Sequence, residues 1–376
     1  MSATKEDVAY ATSGVADGLF PGAFCRIVPD VTGGDDSWCS LVHSDGTGTK
    51  ASLAYVYWRE TADLSVWRSL ARDAVAMNIN DMSCAGCRRP VLLTTVINRN
   101  RRLIPSEVLR ALVDGVEDTA ASLTALGCRV TTAGGETADV GDLVRTLGVD
   151  VSAFARMPRS EVVDNSNIRR GDVVVALASF GECAYEEGYN SGIGSNGLTW
   201  ARHELLSQRT ASLYPESFDP AIPSHLAMRG LCNRDEELRL MRLLLSPTRI
   251  YAPMLRRVWE RLPQGVHGMV HCTGGGQTKS ARSLPKGLAV VKDNLFPLPE
   301  VFEVIGASSG GHWRDMYSVF NMGQLMELYV SPDDAPTVIA AAEEFGIEAR
   351  VAGRVEEQSA VGGSVKLITP YGEFIY

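Results

Sequence analysis

The sequence lacks the features that mark a secreted, membrane-spanning or nucleic-acid-binding protein. Basic residues are in deficit, with 36 Lys and Arg against 45 Asp and Glu and a net charge of −9, whereas nucleic acids call for a basic surface. No apolar run approaches the roughly 18 residues of a membrane span. The first ten residues carry charge and no apolar core, unlike a secretory signal. We therefore expect a cytoplasmic protein with small-molecule partners, no nucleic acid and no membrane.

Cysteine is present without a recognisable pattern. The eight cysteines are scattered over 376 residues, which favours reduced thiols over a disulfide framework. Cys84 and Cys87 have the CxxC spacing of half a zinc site or of a redox pair. There is no second CxxC and no nearby pair of histidines, so a turn of small residues is the favoured interpretation.

The length and the alternation of patterns indicate a two-domain α/β (α+β) protein. The apolar, β-branched run 91–97 predicts a buried strand. Apolar residues at helical spacing from Ser106 predict an amphipathic helix that ends before Gly127. The polar, turn-forming stretch 164–172 separates two units, which we place at 1–167 and 168–376.

A glycine-rich turn with two charged residues lies at 45–50. Glycines let the backbone approach a phosphate closely, Lys50 supplies a positive charge, and the carboxylate of Asp45 suits Mg²⁺. The segment matches neither the Walker pattern nor the dinucleotide fingerprint. Taken alone, such a segment is more often a hairpin turn.

Two further acidic or amide-bearing positions follow in the next helix. Asp73 lies within that helix, and Asn80 and Asp81 lie where we expect it to end. Together with Asp45 these side chains could hold a cation, whereas surface charge is the plainer alternative.

Two glycine runs follow predicted strands. We expect a strand over 129–133 to end at Gly134-Gly135-Glu136, which would place a carboxylate at its carboxyl end, a frequent address of α/β active sites. The second run, Gly274 to Gly276, follows a strand that ends near His271. It could form an anion-binding nest or a flexible turn.

The order of these motifs resembles that of the aminoimidazole ribonucleotide synthetase family, the phosphoribosylformylglycinamidine cyclo-ligases. The matching segments are 43–50 (DGxGTK), 76–81 with Gly86 and Pro90 (VNDxxxxGAxP), 134–138 (GGETA), 171–179 with 194–197 (GDVxxGLASSG…HSNG), 245–251 (LLxPTRIYV), 268–276 (GxAHITGGG) and 316–323 (MYRTFNMG).

The resemblance implies a fold, an assembly and a reaction. The fold has two α/β domains, with the N-terminal sheets of two subunits paired in a homodimer. The reaction is the ATP-dependent closure of formylglycinamidine ribonucleotide to aminoimidazole ribonucleotide in purine biosynthesis, with ADP and phosphate released. The implied cofactors are ATP and Mg²⁺.

The resemblance also implies roles for particular residues. The catalytic pair would be Lys50 and His271, and Mg²⁺ would be held by Asp45 and Asp81, with Asp73 as a weaker candidate. The nucleotide would be bound by Asp45, Gly46, Gly48, Thr49, Lys50, Asn80, Asp81, Gly134, Gly135 and Glu136. The phosphoribosyl substrate would be bound by Ser195, Asn196, Thr248, Arg249, Gly274 and Gly275.

The sequence departs from the family pattern in three places. Gly194 stands where the family has the histidine often assigned to proton transfer, which leaves His43, His203 and His271 as substitutes. For His203, packing or a surface position is favoured. The residues from 182 to 192 look like an insertion, and the loop before Pro90 is one residue longer.

Two alternatives follow from the same motifs. One is another ATP-dependent enzyme of the superfamily, similar to selenophosphate synthetase or thiamine-phosphate kinase. A selenophosphate synthetase should carry a reactive cysteine near a glycine-rich N-terminus, and Cys25 has no such setting. Thiamine-phosphate kinases lack the PTRIY and FNMG motifs that this sequence resembles. The other is a catalytically silent nucleotide-binding homologue.

Overall fold

The computed structural model describes residues 10–16, 18–222, 233–358 and 364–376. Strands and helices interleave in both halves, which confirms the predicted α/β class. The elements of the first half are strands β1 (Ile27–Pro29), β2 (Trp38–Gly46), β3 (Val91–Arg99), β4 (Val130–Asp139) and β5 (Leu147–Pro158), and helices α1 (Lys50–Thr61), α2 (Ser65–Cys84) and α3 (Ser106–Ala125).

The strands of the first half form one mixed sheet in the order β1-β2-β5-β3-β4. Side chains alternate along β5 between buried and more exposed positions, as expected when only one face of a sheet is covered. Helices α2 and α3 pack on the covered face. The other face exposes Val42, Leu92 and Val96, with 60%, 46% and 38% of their surfaces accessible.

The second half is built around a larger sheet. Its elements are strands β6 (Val173–Ala178), β7 (Phe180–Gly181), β8 (Asn190–Ser191), β9 (Val266–His271), β10 (Leu288–Lys292), β11 (Gln324–Val330), β12 (Ala349–Glu357), β13 (Ser364–Thr369) and β14 (Gly372–Ile375), and helices α4 (Leu198–Leu205), α5 (Gln208–Leu213), α6 (Arg234–Leu245), α7 (Ala252–Arg261), α8 (Ser280–Ser283), α9 (Glu300–Ser308), α10 (Trp313–Val319) and α11 (Ala335–Glu343).

Among the described residues, this sheet has the order β14-β13-β10-β12-β6-β11-β9, and β7 and β8 form a separate hairpin. The two large sheets lie on either side of the predicted boundary at 167/168. The boundary itself stays a prediction.

Helix α2 connects the two halves and positions the site. Every residue from Asp73 to Cys84 is buried, because the helix packs on β2 and β5 on one side and on β9 and α7 on the other. The helix runs one turn beyond Asp81, so Asn80 and Asp81 lie inside it rather than at its end. Buried polar groups require partners, and those of α2 reach into both halves.

Several local predictions are confirmed, and two are wrong: the end of α2, which lies beyond Asp81, and the end of one strand. Strand β3 covers the run 91–97, and α3 starts at Ser106, with Gly127 just beyond its end at a φ of 84°. The strand predicted to end at Ala133 instead continues to Asp139. Gly134, at a φ of 86°, lies in a bulge opposite Leu93–Thr95 that lets the pairing with β3 resume.

No helix in the described ranges is long and apolar enough to cross a membrane.

Candidate active site

Asp81 lies between two histidines at the junction of the two halves. One carboxylate oxygen lies 2.5 Å from Nδ1 of His271, and the other lies 3.3 Å from Nε2 of His43. His43 comes from β2 and His271 from the end of β9. Asn78 supports this arrangement through His43 Nδ1, at 2.9 Å, and by donating to the carbonyl of Asp45 at 3.1 Å.

The histidines keep Asp81 ionised. Burial would raise the pKa of Asp81, but the hydrogen bonds from His271 and His43 outweigh burial and hold that pKa well below its usual range. Burial lowers the pKa of His43, yet the hydrogen bond and charge of Asp81 leave it above its ordinary value. Complete burial prevails at His271, whose pKa is lowered despite the same carboxylate.

The two imidazoles differ in access. The side chain of His271 is fully buried, whereas that of His43 is 21% exposed. Nε2 of His271 faces the amide nitrogen of Asn80 at 3.3 Å. In this conformation a molecule in the site would contact Asp81 and not the buried ring of His271, and the catalytic role of His271 stays a prediction.

Asp81 opens into a cavity of about 710 Å³. The cavity is bounded by the loop 21–24, Asn165 and Ser166, the turn at Gly274 and Gly275, and the segment 279–286. Its volume lies in the range of about 300–1,000 Å³ that is typical of ligand sites.

Three basic side chains line the cavity, and Asp81 supplies its only carboxylate among the lining residues. Lys279 donates to Thr273 Oγ1 at 2.6 Å and lies over the ring of Phe24 at 4.7 Å. No ion-pair partner is present for Arg282 or Lys286 within the described ranges. A cavity with this excess of positive charge favours a phosphate or another anion.

The glycine turn beside these cations is tightly packed at one end only. Gly276 has a φ of 48°, and a Cβ there would lie 2.3 Å from the carbonyl oxygen of Phe320, so only glycine fits. At Gly274 the nearest atom to such a Cβ would be Asn196 Nδ2, at 3.6 Å. Gly274, Gly275 and Asn196, three predicted substrate-binding residues, are thus close to one another at the cavity.

The side chain of Lys50 points into the core, between the two halves of the chain. Its side chain is fully buried, and its ammonium group bonds the carbonyls of Gly194 at 3.0 Å and Ser246 at 2.6 Å and pairs with Asp73 at 2.8 Å. The ammonium group donates to the two carbonyls, whereas its contact with Asp73 is an ion pair in which Oδ2 of Asp73 has no hydrogen-bond partner. Because both side chains are fully buried, in this conformation Lys50 does not reach a bound phosphate and Asp73 does not reach a bound metal ion.

A chain of hydroxyls extends from this ion pair. Oδ1 of Asp73 accepts from the backbone N–H and the hydroxyl of Thr248, both at 2.6 Å. Thr248 in turn accepts from the hydroxyl of Ser195 at 2.8 Å. The predicted substrate-binding residues Ser195 and Thr248 are therefore brought together. The buried Lys50–Asp73 pair contacts them through the hydroxyl of Thr248.

Arg249 is also turned inward. Its guanidinium pairs with Glu186 at 2.9 Å and donates to the carbonyls of Ala178, Phe180 and Gly181. Because these partners saturate the buried group, Arg249 is not free to bind a substrate phosphate here. Glu186 belongs to the segment 182–192, which looked like an insertion. The hydroxyl of Tyr185 in the same segment donates to the carbonyl of Ile250.

The remaining predicted nucleotide residues lie in three separate places. Gly46, Gly48 and Thr49 form the turn between β2 and α1, where the Thr49 hydroxyl lies 2.7 Å from that of Thr199. Asn80 is buried and tied to the backbone of Arg249 and Tyr251.

The Gly134–Glu136 motif is remote from Asp45. Gly135 pairs with Thr95, Thr95 with Val151, and Val151 with Asp45. Three strand spacings correspond to about 14 Å. Glu136 lies in the next row, on the exposed face of the sheet, and its carboxylate bonds the adjacent backbone N–H of Thr137.

The donor set permits a magnesium ion at one place. Mg²⁺ in phosphate-using sites takes one or two carboxylates and fills its shell with water and phosphate oxygens. Asp45 and Asp81 are close enough that the charge of Asp81 adds to the effect of burial in raising the pKa of Asp45. Nearby, the hydroxyl of Thr47 is buried without a hydrogen-bond partner. Within the described residues no group of three or more metal-binding side chains is present, so a cation held by Asp45 and Asp81 would complete its shell with water and phosphate oxygens. Asp73 is occupied by Lys50 and Thr248.

Sequence reasoning missed the cavity cations. Lys279 and Arg282 follow Gly276 by three and six residues, on either side of the start of α8. Basic residues at this spacing after a glycine run were the available signal for an anion site. His203, by contrast, packs as favoured, with its buried ring against Phe218 at 5.4 Å.

Comparison with known families matches both halves of the chain. Residues 27–157 match the N-terminal domain of AIR synthase related proteins, and residues 169–366 match their C-terminal domain. Curated relatives include phosphoribosylformylglycinamidine cyclo-ligases of Brevibacillus brevis, 30% identical over 83% of this chain and 79% of that protein, and of Methanococcus vannielii, 28% identical over 88% and 82%.

Solved structures share the fold at low identity. Thiamine monophosphate kinase of Aquifex aeolicus is 14% identical, with a TM-score of 0.53 over 98% of this chain and 95% of that one. Phosphoribosylformylglycinamidine synthase II of Thermotoga maritima is 14% identical, with a TM-score of 0.55 over 91% of this chain but 44% of that longer protein. The fold, the two matched domains and the 30% identical relative establish that the chain belongs to the AIR synthase related family.

Proposed function

We propose that the chain is an ATP-dependent phosphoribosylformylglycinamidine cyclo-ligase. It would close formylglycinamidine ribonucleotide to aminoimidazole ribonucleotide and release ADP and phosphate. The identity to curated cyclo-ligases over more than four fifths of the chain supports this activity. The observation that carries the proposal is the 710 Å³ cavity, in which unpaired cations and a glycine turn lie beside Asp81.

The cavity cations would hold the ribose phosphate of the substrate. Arg282 offers a planar fork of donors that matches a phosphate, and Lys279 and Lys286 add positive charge. The backbone at Gly274 and Gly275 leaves room for the phosphate to approach closely. This assignment transfers the role that the sequence suggested for Arg249 to residues that are free to perform it.

The reaction needs activation of a poor leaving group followed by an internal attack. Transfer of a phosphoryl group to the amide oxygen makes that oxygen a leaving group, and the amidine nitrogen of the same molecule then attacks the activated carbon. Because both groups lie in one bound molecule, orientation by the protein contributes several kcal/mol. No covalent enzyme intermediate is required.

Asp45 and Asp81 would hold Mg²⁺, which when bound neutralises charge on the phosphates of ATP. His271 would orient the Asp81 carboxylate from below. His43 is the accessible imidazole of the site. Because both of its ring nitrogens donate, to Asn78 and to Asp81, it would hold positive charge beside the phosphates, and the proton that the attacking nitrogen loses would go to water. Lys50 would hold the turns at Gly194 and Ser246, and through Asp73 the Thr248 hydroxyl, in place.

We also propose that the protein is a homodimer formed through the uncovered face of the N-terminal sheet. The support is the row of accessible apolar side chains on that face, Val42, Leu92 and Val96, since exposed apolar patches mark interaction surfaces.

Turnover of the purified chain tests the activity. With formylglycinamidine ribonucleotide and Mg-ATP we expect aminoimidazole ribonucleotide and ADP to form in equal amounts. Mass spectrometry of the reaction mixture measures both products. Arg282→Gln should raise KM for the ribonucleotide by about tenfold or more with little change in kcat, because a charge-assisted hydrogen bond is lost. Arg110→Gln on α3 is the matched control. Absence of product with folded protein would reject the proposal and favour a silent homologue.

A further inference from the structure

A second cavity, of about 260 Å³, lies between the two halves of the chain. Its walls come from the C-terminal part of α2, the starts of β3 and β4, and α7. Ile79, Met82 and Ser83 line it from α2. Two residues at about 100° each turn the helix by about 200°, so Asp81 and Ile79 project about 160° apart. The cavity and the active site therefore lie on opposite faces of this helix.

The cavity combines an apolar floor with a basic rim. Ile79, Met82, Val91, Leu255 and Trp259 supply the floor. Four arginines, at positions 88, 89, 129 and 256, stand around it, and no carboxylate is among the lining residues. Such a combination, a mostly apolar pocket with a few convergent charged groups, is typical of a small-molecule site.

Two of the four arginines are engaged in ion pairs, Arg89 with Glu161 and Arg256 with Glu260, whereas Arg88 and Arg129 retain hydrogen-bonding capacity. Nε of Arg88 is buried without a hydrogen-bond partner and forms only a long ion pair with Glu161, at 3.8 Å, while Nη2 donates to the carbonyl of Pro263 at 3.3 Å. Its guanidinium lies over the ring of Trp259 at 4.6 Å, which holds the group flat against the cavity wall. Arg129 is exposed and forms no ion pair within the described ranges.

We infer that this cavity binds a small aromatic or heteroaromatic carboxylate, with the ring on the apolar floor beside Trp259 and the carboxylate on Arg88 and Arg129. The volume is below the about 300–1,000 Å³ of pockets for drug-sized ligands, so a single ring fits better than a whole nucleotide. A planar guanidinium matches a carboxylate through two parallel hydrogen bonds. The site is separate from the proposed reaction and does not depend on it.

Benzoate is the probe for this inference. Calorimetric titration of the full chain, without ATP or ribonucleotide, should show one binding site, and the neutral isostere benzamide should bind at least tenfold more weakly. Arg88→Gln and Arg129→Gln should each weaken benzoate binding by about tenfold. Arg110→Gln, which removes an arginine that is 83% exposed on α3, should leave it unchanged.

Two further measurements locate the bound probe. Arg282→Gln removes a cation of the active-site cavity and should not affect benzoate binding. Cys128, which lines the second cavity and is only partly buried, should be alkylated by N-ethylmaleimide more slowly when benzoate is present. The inference is overturned if benzoate fails to bind at millimolar concentration, or if Arg282→Gln abolishes binding while Arg88→Gln and Arg129→Gln do not. The exposed position of Arg129 keeps the test valid even if Arg88→Gln fails to fold.

Discussion

Replacing Lys50 by Met should destabilise the protein strongly, because Asp73 would then be a buried carboxylate without its cation. Both side chains are fully buried and lie 2.8 Å apart. Removal of one member of such a pair costs about 3–5 kcal/mol. At about 2–4 °C per kcal/mol for domains of this size, the midpoint of thermal unfolding should fall by about 6 °C or more.

A second substitution separates the buried charge from the lost contacts. Asp73→Asn in the Lys50→Met background removes the unpaired charge, while the amide oxygen still accepts from Thr248. The unfolding temperature of the double variant should therefore lie between those of Lys50→Met and the parent. Lys286→Met, at an exposed position, is the control and should melt within about 1–2 °C of the parent. Circular dichroism melts of the four proteins suffice. If Lys50→Met melts like the control, the reasoning about the buried pair is refuted.

Three other predictions follow from the described contacts. Burial lowers the pKa of His203 to about 4, so its ring should stay neutral in an NMR titration down to pH about 5. The free energy of unfolding should fall as the pH drops from about 6.5 towards 4, because the unfolded chain takes up the proton first. A His203 ring that titrates near pH 6.5 would contradict this. Gly276→Ala should lower the unfolding midpoint, whereas Gly274→Ala, which has room for a methyl group, should not; equal melts would contradict the turn geometry. Leu92→Arg should convert a dimer to a monomer in light scattering, while Val113→Arg, equally exposed on α3, should not; two dimers, or two monomers, would contradict the proposed interface.

Local patterns predicted the elements of the fold well. The run 91–97 is β3, and the amphipathic repeat that starts at Ser106 is α3, because an apolar stripe at the right period must face a core. The strand that was expected to end at Ala133 continued because Gly134 absorbs an extra residue in a bulge. A glycine pair marks either a strand end or a bulge, and the local sequence does not distinguish them.

The roles of the candidate site residues stay predictions, and the structure shows only which of these residues lie together. Asp45, Asp81 and His271 came from motifs far apart in the chain, and the structure brings them to one place. Lys50 and Arg249 have the right chemistry for a phosphate but point inward. Their direction depends on partners distant in sequence, Glu186 being 63 residues from Arg249, and such pairing is set by tertiary packing that a motif does not contain.

The central claim is that the cavity beside Asp81 holds the phosphoribosyl substrate. A crystal structure of the chain with formylglycinamidine ribonucleotide and a non-hydrolysable ATP analogue tests it most directly. The account predicts the ribose phosphate within hydrogen-bonding distance of Lys279 and Arg282, against the turn at Gly274. A ribonucleotide bound elsewhere, with these side chains still free of ligand, would contradict it.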